Sequence, residues 1–317
     1  MSAQQTAHAS PARIALGFAA VYILWGSTYL GIRFAVASIP PLLMAGTRFV
    51  AAGCLLYALV RFRGAPRPTR VHWRSATLLG GLLLLGGNGL VSVAEQAVPS
   101  GITALIVAAV PFWMVLLNAM EQRTRPRLSV LAGLVLGILG LAILVLPSGT
   151  SAAGHTDSLG VVLLLTATFC WAVGSLYAHR APLPSSTFLG IAMEMIGGGV
   201  LLWLVGLLSG EGAALHLQAI TPKSLLALIY LTLFGSLLGF SAYVWLLKVT
   251  TPARASTYAF VNPVIAVLLG WALAGEALTP RIALAGGIIV TAVCIIMYFG
   301  ASKAPSAPQD AKPGEAA

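Results

Sequence analysis

Apolar residues run along this chain in long unbroken stretches, without the alternation of half-buried strands or the single apolar stripe of a soluble helix. Ten runs stand out, at approximately 14–32, 40–60, 75–95, 99–120, 128–147, 158–178, 187–209, 223–247, 253–275 and 281–300. Each is long enough to cross a hydrocarbon core of roughly 30 Å as a helix rising about 1.5 Å per residue. Lipid offers the backbone no hydrogen-bond partners, so a spanning segment must satisfy its own, and a helix does this within one segment. A barrel strand would alternate apolar and polar residues, and Leu82-Leu83-Leu84-Leu85 does not. The pattern therefore predicts an all-α integral membrane protein with ten transmembrane helices. The first run is too long for a signal-peptide core and is not followed by a small-residue cleavage site, so it reads as a permanent span. Residues 1–13 read as a polar N-terminal tail, and the Pro/Ala-rich stretch 301–317 as a disordered C-terminal tail.

The charges give the chain an orientation. With the N-terminus in the cytoplasm, fourteen Lys and Arg residues fall inside, among them Arg61, Arg63, Arg67, Arg70, Arg74, Arg123, Arg125 and Arg127. Outside fall three, Arg33, Lys223 and Arg281, while Arg48 lies within a span. This bias places both termini in the cytoplasm of a multi-pass inner-membrane protein. Composition agrees: 58% of residues are hydrophobic and 8% charged, against about 25% charged in soluble domains. The net charge of +10 does not point to nucleic acid, because the basic residues sit between apolar runs and form no basic face interleaved with aromatics. Cys54, Cys170 and Cys294 lie inside apolar runs without metal-ligand spacing and read as small packing residues.

The two halves share a pattern. Trp25-Gly26-Ser27 loosely matches Trp171 to Ser175 at an offset of 146 residues, which also brings Arg48 onto Glu194 and Ala52-Gly53 onto Gly198-Gly199. Pro111 and Pro263 both fall within runs, the fourth and the ninth. Each half, 14–147 and 158–300, holds five runs, and because five is odd the second half enters the membrane from the opposite side. The expected fold is thus two inverted five-helix repeats, an arrangement that places a binding site near the midplane between the halves, where paired proline-bent helices are a further pointer to it.

Several local signatures run in order along nearly the whole chain: Trp25-Gly26-Ser27; Arg48-Phe49 with Ala52-Gly53; Ala94-Glu95-Gln96; Ala104-Leu105 and Pro111; Asn262-Pro263-Val264; Gly275-Glu276; and Gly286. In their order and spacing the chain resembles the drug/metabolite transporter superfamily, and within it the EamA-type exporters. The resemblance implies ten helices with both termini inside, a central cavity, alternating access, and outward movement of amino acids, other metabolites or toxic compounds. The first half lacks a match for Gly275-Glu276, having Glu121 and Arg123 near that place.

An ionisable side chain inside a span is a functional candidate because its burial is costly. Arg48 and Glu194 read either as a switching pair, with Glu194 a candidate proton site, or as static polar contacts with a snorkelling Arg48. Glu95 and Gln96 read as substrate contacts at a cavity mouth or as a solvated helix end. Asn88, among Gly86, Gly87 and Gly89, reads as a cavity residue or an interhelical bond. Trp25, Trp171, Tyr243 and Tyr258 can line a pocket or pack helices, with Ser27, Ser92, Ser175 and Asn262 as polar companions. Pro111 and Pro263 are candidate gating bends.

Catalytic and nucleotide-binding motifs are missing from the sequence: the histidines show no metal spacing, Gly235-Ser236-Leu237-Leu238-Gly239 has the wrong spacing for a nucleophile elbow, and there is no Walker-type loop. No cofactor is expected. The expected function is secondary transport of a small metabolite, most simply amino-acid export, with multidrug efflux or a channel-like uniporter as alternatives and an intramembrane enzyme as a remote one. The expected partners are a small-molecule substrate, the lipid bilayer and, where transport is coupled, protons; the oligomeric state is open.

Overall fold

The computed structural model describes residues 10–123, 125, 127–146, 157–250 and 257–300, and all regular structure among them is helical. Nine helices among the described residues are long and apolar enough to cross a membrane: α1 (Pro11–Ala35), α2 (Pro41–Phe62), α3 (Arg70–Ala94), α4 (Ser100–Glu121), α5 (Leu128–Val145), α6 (Ser158–Ala178), α7 (Thr187–Leu208), α8 (Pro222–Tyr243) and α10 (Pro280–Phe299). Between the last two lies a shorter apolar helix, α9 (Tyr258–Ala274). The protein is therefore a many-span membrane helical bundle. Large apolar residues such as Leu16, Leu128, Leu208 and Tyr298 stand exposed around it, as lipid contact requires.

Helix starts follow local capping chemistry. Ser10 accepts from the Arg13 amide and Pro11 takes the first helical position. This draws residues 11–13, expected in the tail, into α1; residues 1–9 and the expected tail 301–317 lie outside the described residues, as do 251–256 at the expected start of the ninth run. Thr69 and His72 form a capping box for α3, and Asp157, Ser186 and Thr221 cap α6, α7 and α8.

Four helices depart from a regular α-helix, and these departures shape the interior. α1 breaks at Ser27, where the Ser27 and Thr28 hydroxyls donate back to the Leu24 and Trp25 carbonyls at 3.0 and 2.6 Å. α4 breaks at Ala108–Ala109 and restarts at Val110, because the Pro111 ring collides with the carbonyl four residues back. α3 winds as a π-helix over Gly81–Gly89 and α8 over Leu231–Leu238, a geometry that frees carbonyls and is frequent at functional sites. By contrast α9 runs on through Pro263, so the expected interruption of the ninth run does not occur in the described helix.

α1 packs on α8 and α9, α6 on α3 and α4, α2 on α7, α4 on α9, and α5 on α10. The α2–α7 pair is antiparallel and close: a Cβ on Gly53 would meet the Ala192 carbonyl and the Ile196 amide at 2.9 Å, while Gly46 faces Trp203 and Gly199. Bonds between helix ends sort the bundle into two faces. Glu211, just beyond α7, meets the start of α2; Glu276, beyond α9, meets the start of α4; and Arg281 at the start of α10 reaches the end of α5. We call this the capped end. The opposite, basic end carries Arg61, Arg63, Arg67 and Arg70 between α2 and α3, and Arg123, Arg125 and Arg127 between α4 and α5.

Candidate functional site

Where α1, α8 and α9 meet, Trp25 is surrounded by aromatic rings. Its ring centroid lies 4.9 Å from that of Tyr258, 5.2 Å from Tyr243 and 5.3 Å from Phe240. Its indole N–H donates to the Gly235 carbonyl at 3.2 Å, in the π-helical stretch of α8. Nearby, the Tyr22 and Thr257 hydroxyls lie 2.5 Å apart, and the Ser27 and Tyr230 hydroxyls 2.6 Å apart. The buried Asn262 amide, with its nitrogen turned toward them, donates to the Tyr22 and Tyr258 carbonyls at 3.3 Å. The result is an apolar wall with polar tips, held by bonds between helices far apart in sequence.

Arg48, 4% exposed in the bundle, meets the same α8 residue, Gly235, that the Trp25 indole bonds. Its Nε donates to Ser236 Oγ at 2.8 Å, and its guanidinium rests on the α8 backbone so closely that a Cβ on Gly235 would stand 3.1 Å from Nη2. The guanidinium also covers the Phe49 ring at 4.7 Å. Its two Nη groups have no hydrogen-bond partner among the described residues. An arginine fixed at Nε with both Nη groups open presents the fork that a carboxylate or phosphate accepts.

The end of α3 carries Glu95, fully buried, with neither carboxyl oxygen hydrogen-bonded. The charges of Arg33, Arg48 and Glu276 act on it. Arg33 Nη1 donates to the Glu95 carbonyl at 2.6 Å and the Val98 carbonyl at 3.4 Å, so it holds the backbone and not the carboxyl.

The model of the EamA-like transporter family matches the chain twice, over residues 12–146 and 158–298. The chain belongs to the EamA-like transporter family. It is 43% identical over 279 residues to the uncharacterized inner membrane transporter YedA of Escherichia coli K12, across 87% of this chain and 88% of that one. It is also similar to a probable amino-acid metabolite efflux pump of Salmonella typhimurium, at 29% identity over 88% of this chain and 93% of that one. A crystal structure of a protein 21% identical superposes with a TM-score of 0.59, covering 90% of this chain and 96% of that one, which speaks to the fold. This EamA-family protein is accordingly a secondary transporter and not an enzyme.

In this EamA-family transporter the sequence-predicted residues divide into separate places. Trp25, Ser27, Tyr243, Tyr258 and Asn262 come together around α1, α8 and α9. Trp171 and Ser175 do not join them: α6 packs on α3 and α4, where Trp171 lies on Gly87. Ser175 donates to the Trp171 carbonyl at 2.7 Å, and Trp113 donates to Thr168 at 2.9 Å. Asn88 is half-buried in the π-helical stretch of α3, and the buried Ser92 donates to its carbonyl at 2.9 Å. Gln96 is exposed beside the buried Glu95.

Arg48 and Glu194 form no pair. Glu194 is half-buried on α7 with no bond among the described residues, and Arg48 binds α8. The matched positions explain this. Both residues lie about two turns into their helices, but α2 and α7 run antiparallel, with Gly46 beside Gly199 and Gly53 beside Ala192. Arg48 is therefore level with Gly197 and Glu194 with Ala51, about 4.5 Å apart along the axis, and Arg48 turns to Ser236 of α8. Glu194's carbonyl lies instead where a Cβ on Gly80 of α3 would approach to 2.5 Å.

Sequence reasoning passed over four residues that the structure brings to the site. Ser236 anchors Arg48, Tyr230 bonds Ser27, and Tyr29, one turn beyond Trp25, comes within electrostatic reach of Glu95. Arg33 was counted as a loop charge, yet it clamps the α3–α4 connection. The available signals were the spacing of Tyr29 from Trp25 and the glycine-serine pair at Gly235-Ser236. A groove of about 600 Å³ lined by Trp73, Thr77, Leu78 and Leu201 opens between α3 and α7. It is open and almost wholly apolar and holds none of these residues, so the interior cluster and not the groove is the candidate site.

Proposed function

We propose that this protein exports a small metabolite bearing an anionic group, most simply an amino acid, across the inner membrane by alternating access between two inverted five-helix repeats, 14–147 and 158–300, with both termini in the cytoplasm. The observation that carries the reading is Arg48: a buried guanidinium fixed at Nε by Ser236, open at both Nη groups, and meeting the same Gly235 that the Trp25 indole bonds. A carboxylate docks on the fork, and the substrate's apolar part lies on the rings. The helix pairings support the repeat, since exchanging the halves maps α1–α8 onto α6–α3 and α1–α9 onto α6–α4. So does the placement of the π-helical stretches in the third helix of each half. The relatives named as inner membrane and amino-acid efflux proteins point the same way. In this reading α4 bends at the break before Pro111 as one end closes and the other opens, and Pro263, inside an unbroken α9, is the weaker candidate for a matching bend.

Counterflow tests it. Proteoliposomes loaded with a panel of unlabelled amino acids should accelerate uptake of the labelled counterpart for one class. Arg48→Ala should abolish the acceleration and Arg48→Lys should keep a fraction of it. Saturable movement of drug-like cations alone would favour multidrug efflux, and movement without exchange acceleration would favour a channel.

A further inference from the structure

The α3–α4 connection, residues 95–99, is gripped from both sides at the capped end. Arg33 of α1 holds its start through the Glu95 and Val98 carbonyls. Glu276 holds its far side, accepting from the Ser100 amide at 2.7 Å, the Ser100 hydroxyl at 2.8 Å and the Gly101 amide at 3.0 Å. Glu276 reaches α4 because Gly275 ends α9 in the left-handed region, at φ +66°, and turns the chain back. Beside this grip opens a recess of about 110 Å³ lined by Pro99, Gly101, Val267, Glu276 and Thr279.

Glu95 lies under the connection, and its carboxyl is used by neither grip. The groups that face it are known from every side. Arg33 and Tyr29 come from α1, Arg48 from α2, and Glu276 from beyond α9. From α6, Asp157 bonds its own helix start at Leu159 and Gly160, where Val98 packs. Both arginines donate elsewhere, so neither pairs with the carboxyl. A carboxylate left bare in the interior is among the costliest arrangements a protein can hold, whereas a neutral carboxyl there loses far less. Lifting the connection off α1 and α9 would bring water to this group first.

We propose that Glu95 is a proton-binding site coupled to the capped end: it carries a proton while that end is shut and gives it to water when the α3–α4 connection lifts. In that step the carboxyl O–H bond breaks, water on the opened side takes the proton, and a carboxylate remains beside Arg33 and Arg48. Reclosing takes a proton from the same side. The opening is the one that the transport reading supplies, so the proposal rests on that reading, and it moves the proton site from Glu194 to Glu95.

The full-length protein in lipid nanodiscs decides it by infrared spectroscopy. The unmodified protein should show the carbonyl stretch of a protonated carboxyl at neutral pH. Glu95→Gln should remove that component and Glu194→Gln should leave it. Glu95→Gln imitates the neutral acid in size and charge and so should keep the fold. In proteoliposomes, labelled amino-acid efflux should depend on the pH of the medium that meets the capped end, and this dependence should be lost in Glu95→Gln. A spectrum with no Glu95-dependent component overturns the proposal, and so does an unchanged dependence of efflux on that pH in the variant. Failure of the unmodified protein to exchange any amino acid would count against the transport reading alone, and the infrared component would still decide the proton site.

Discussion

The two ends of the bundle are built from helices of the same kind, yet they are held together differently. At the capped end, several bonds run between the halves, most of them at least partly buried. Glu211 accepts from the Leu42 and Leu43 amides at 3.1 and 2.9 Å, and Glu276 takes three donors at the start of α4. Ser224 donates to the Phe34 carbonyl at 2.7 Å, Thr221 donates to Ser38 at 3.0 Å, and Lys223 sits 3.5 Å over the Phe34 ring. At the basic end, the ion pair among the described residues is Arg180 with Glu121, whose side chains are 70% and 33% exposed. The acids account for the difference. Glu95, Asp157, Glu211 and Glu276 all lie at the capped end, three of them on helix N-termini, where a carboxylate meets unpaired amides and the positive end of the helix dipole. Most of the arginines gather at the other end, where they repel one another; Arg33 and Arg281 stay at the capped end on backbone carbonyls. Sign segregation thus coincides with a firmly bonded end and a loosely bonded one, which the alternating-access reading takes as a latched gate and a free one.

Breaking the strongest latch should have the largest effect. Glu276→Ala leaves two buried amides and a hydroxyl without their acceptor, a loss of about 3 kcal/mol at a conservative value per charge-assisted bond. That corresponds to roughly a hundredfold more opening of the capped end. The rate at which a maleimide labels Val98→Cys, in a background with Cys54, Cys170 and Cys294 replaced, reads this opening. An increase of less than about fivefold would mean that the Glu276 cap contributes little to closure. Glu211→Ala should follow with a smaller change. Its two amides lie at the very start of α2, and losing an N-cap acceptor costs about 1 kcal/mol, or roughly a fivefold faster labelling.

Much of this contrast was legible in the sequence, and its missing parts share a cause. The spans could be read because runs of apolar residues have few other uses, and the arginine-rich connections could be read as one face. The start of α1 was misplaced because Ser10-Pro11 caps a helix three residues ahead of its apolar run. The pairing of Arg48 with Glu194 failed because matched positions in antiparallel neighbours stand at different depths. Gly275-Glu276 stood out as a motif, but nothing local says that its carboxylate grips an α4 amide 176 residues away. The π-helical stretches are hidden too: Gly86, Gly87 and Gly89 read as close packing, and that is what they do, against Cys170 and Trp171 of α6 and Leu202 of α7, but no local pattern marks the wider winding. Local pattern fixes which segments are helices, and the site depends on how distant segments meet.

The smallest effect belongs to the basic end, and it tests the contrast from the other side. An exposed ion pair contributes about 0–1 kcal/mol, because water screens it and two long side chains must be held still. Removing it by Arg180→Ala should loosen the basic end slightly. In the alternating-access reading one end opens as the other closes, so labelling of Val98→Cys should slow by no more than about fivefold. Glu121→Ala should give the same change, and the double variant no more than either alone, since one lost partner already ends the interaction. A tenfold slowing would show that the basic end is latched as firmly as the capped end. The distribution of acids would then not explain which gate stands closed, and the cause would have to lie in helix packing common to both ends.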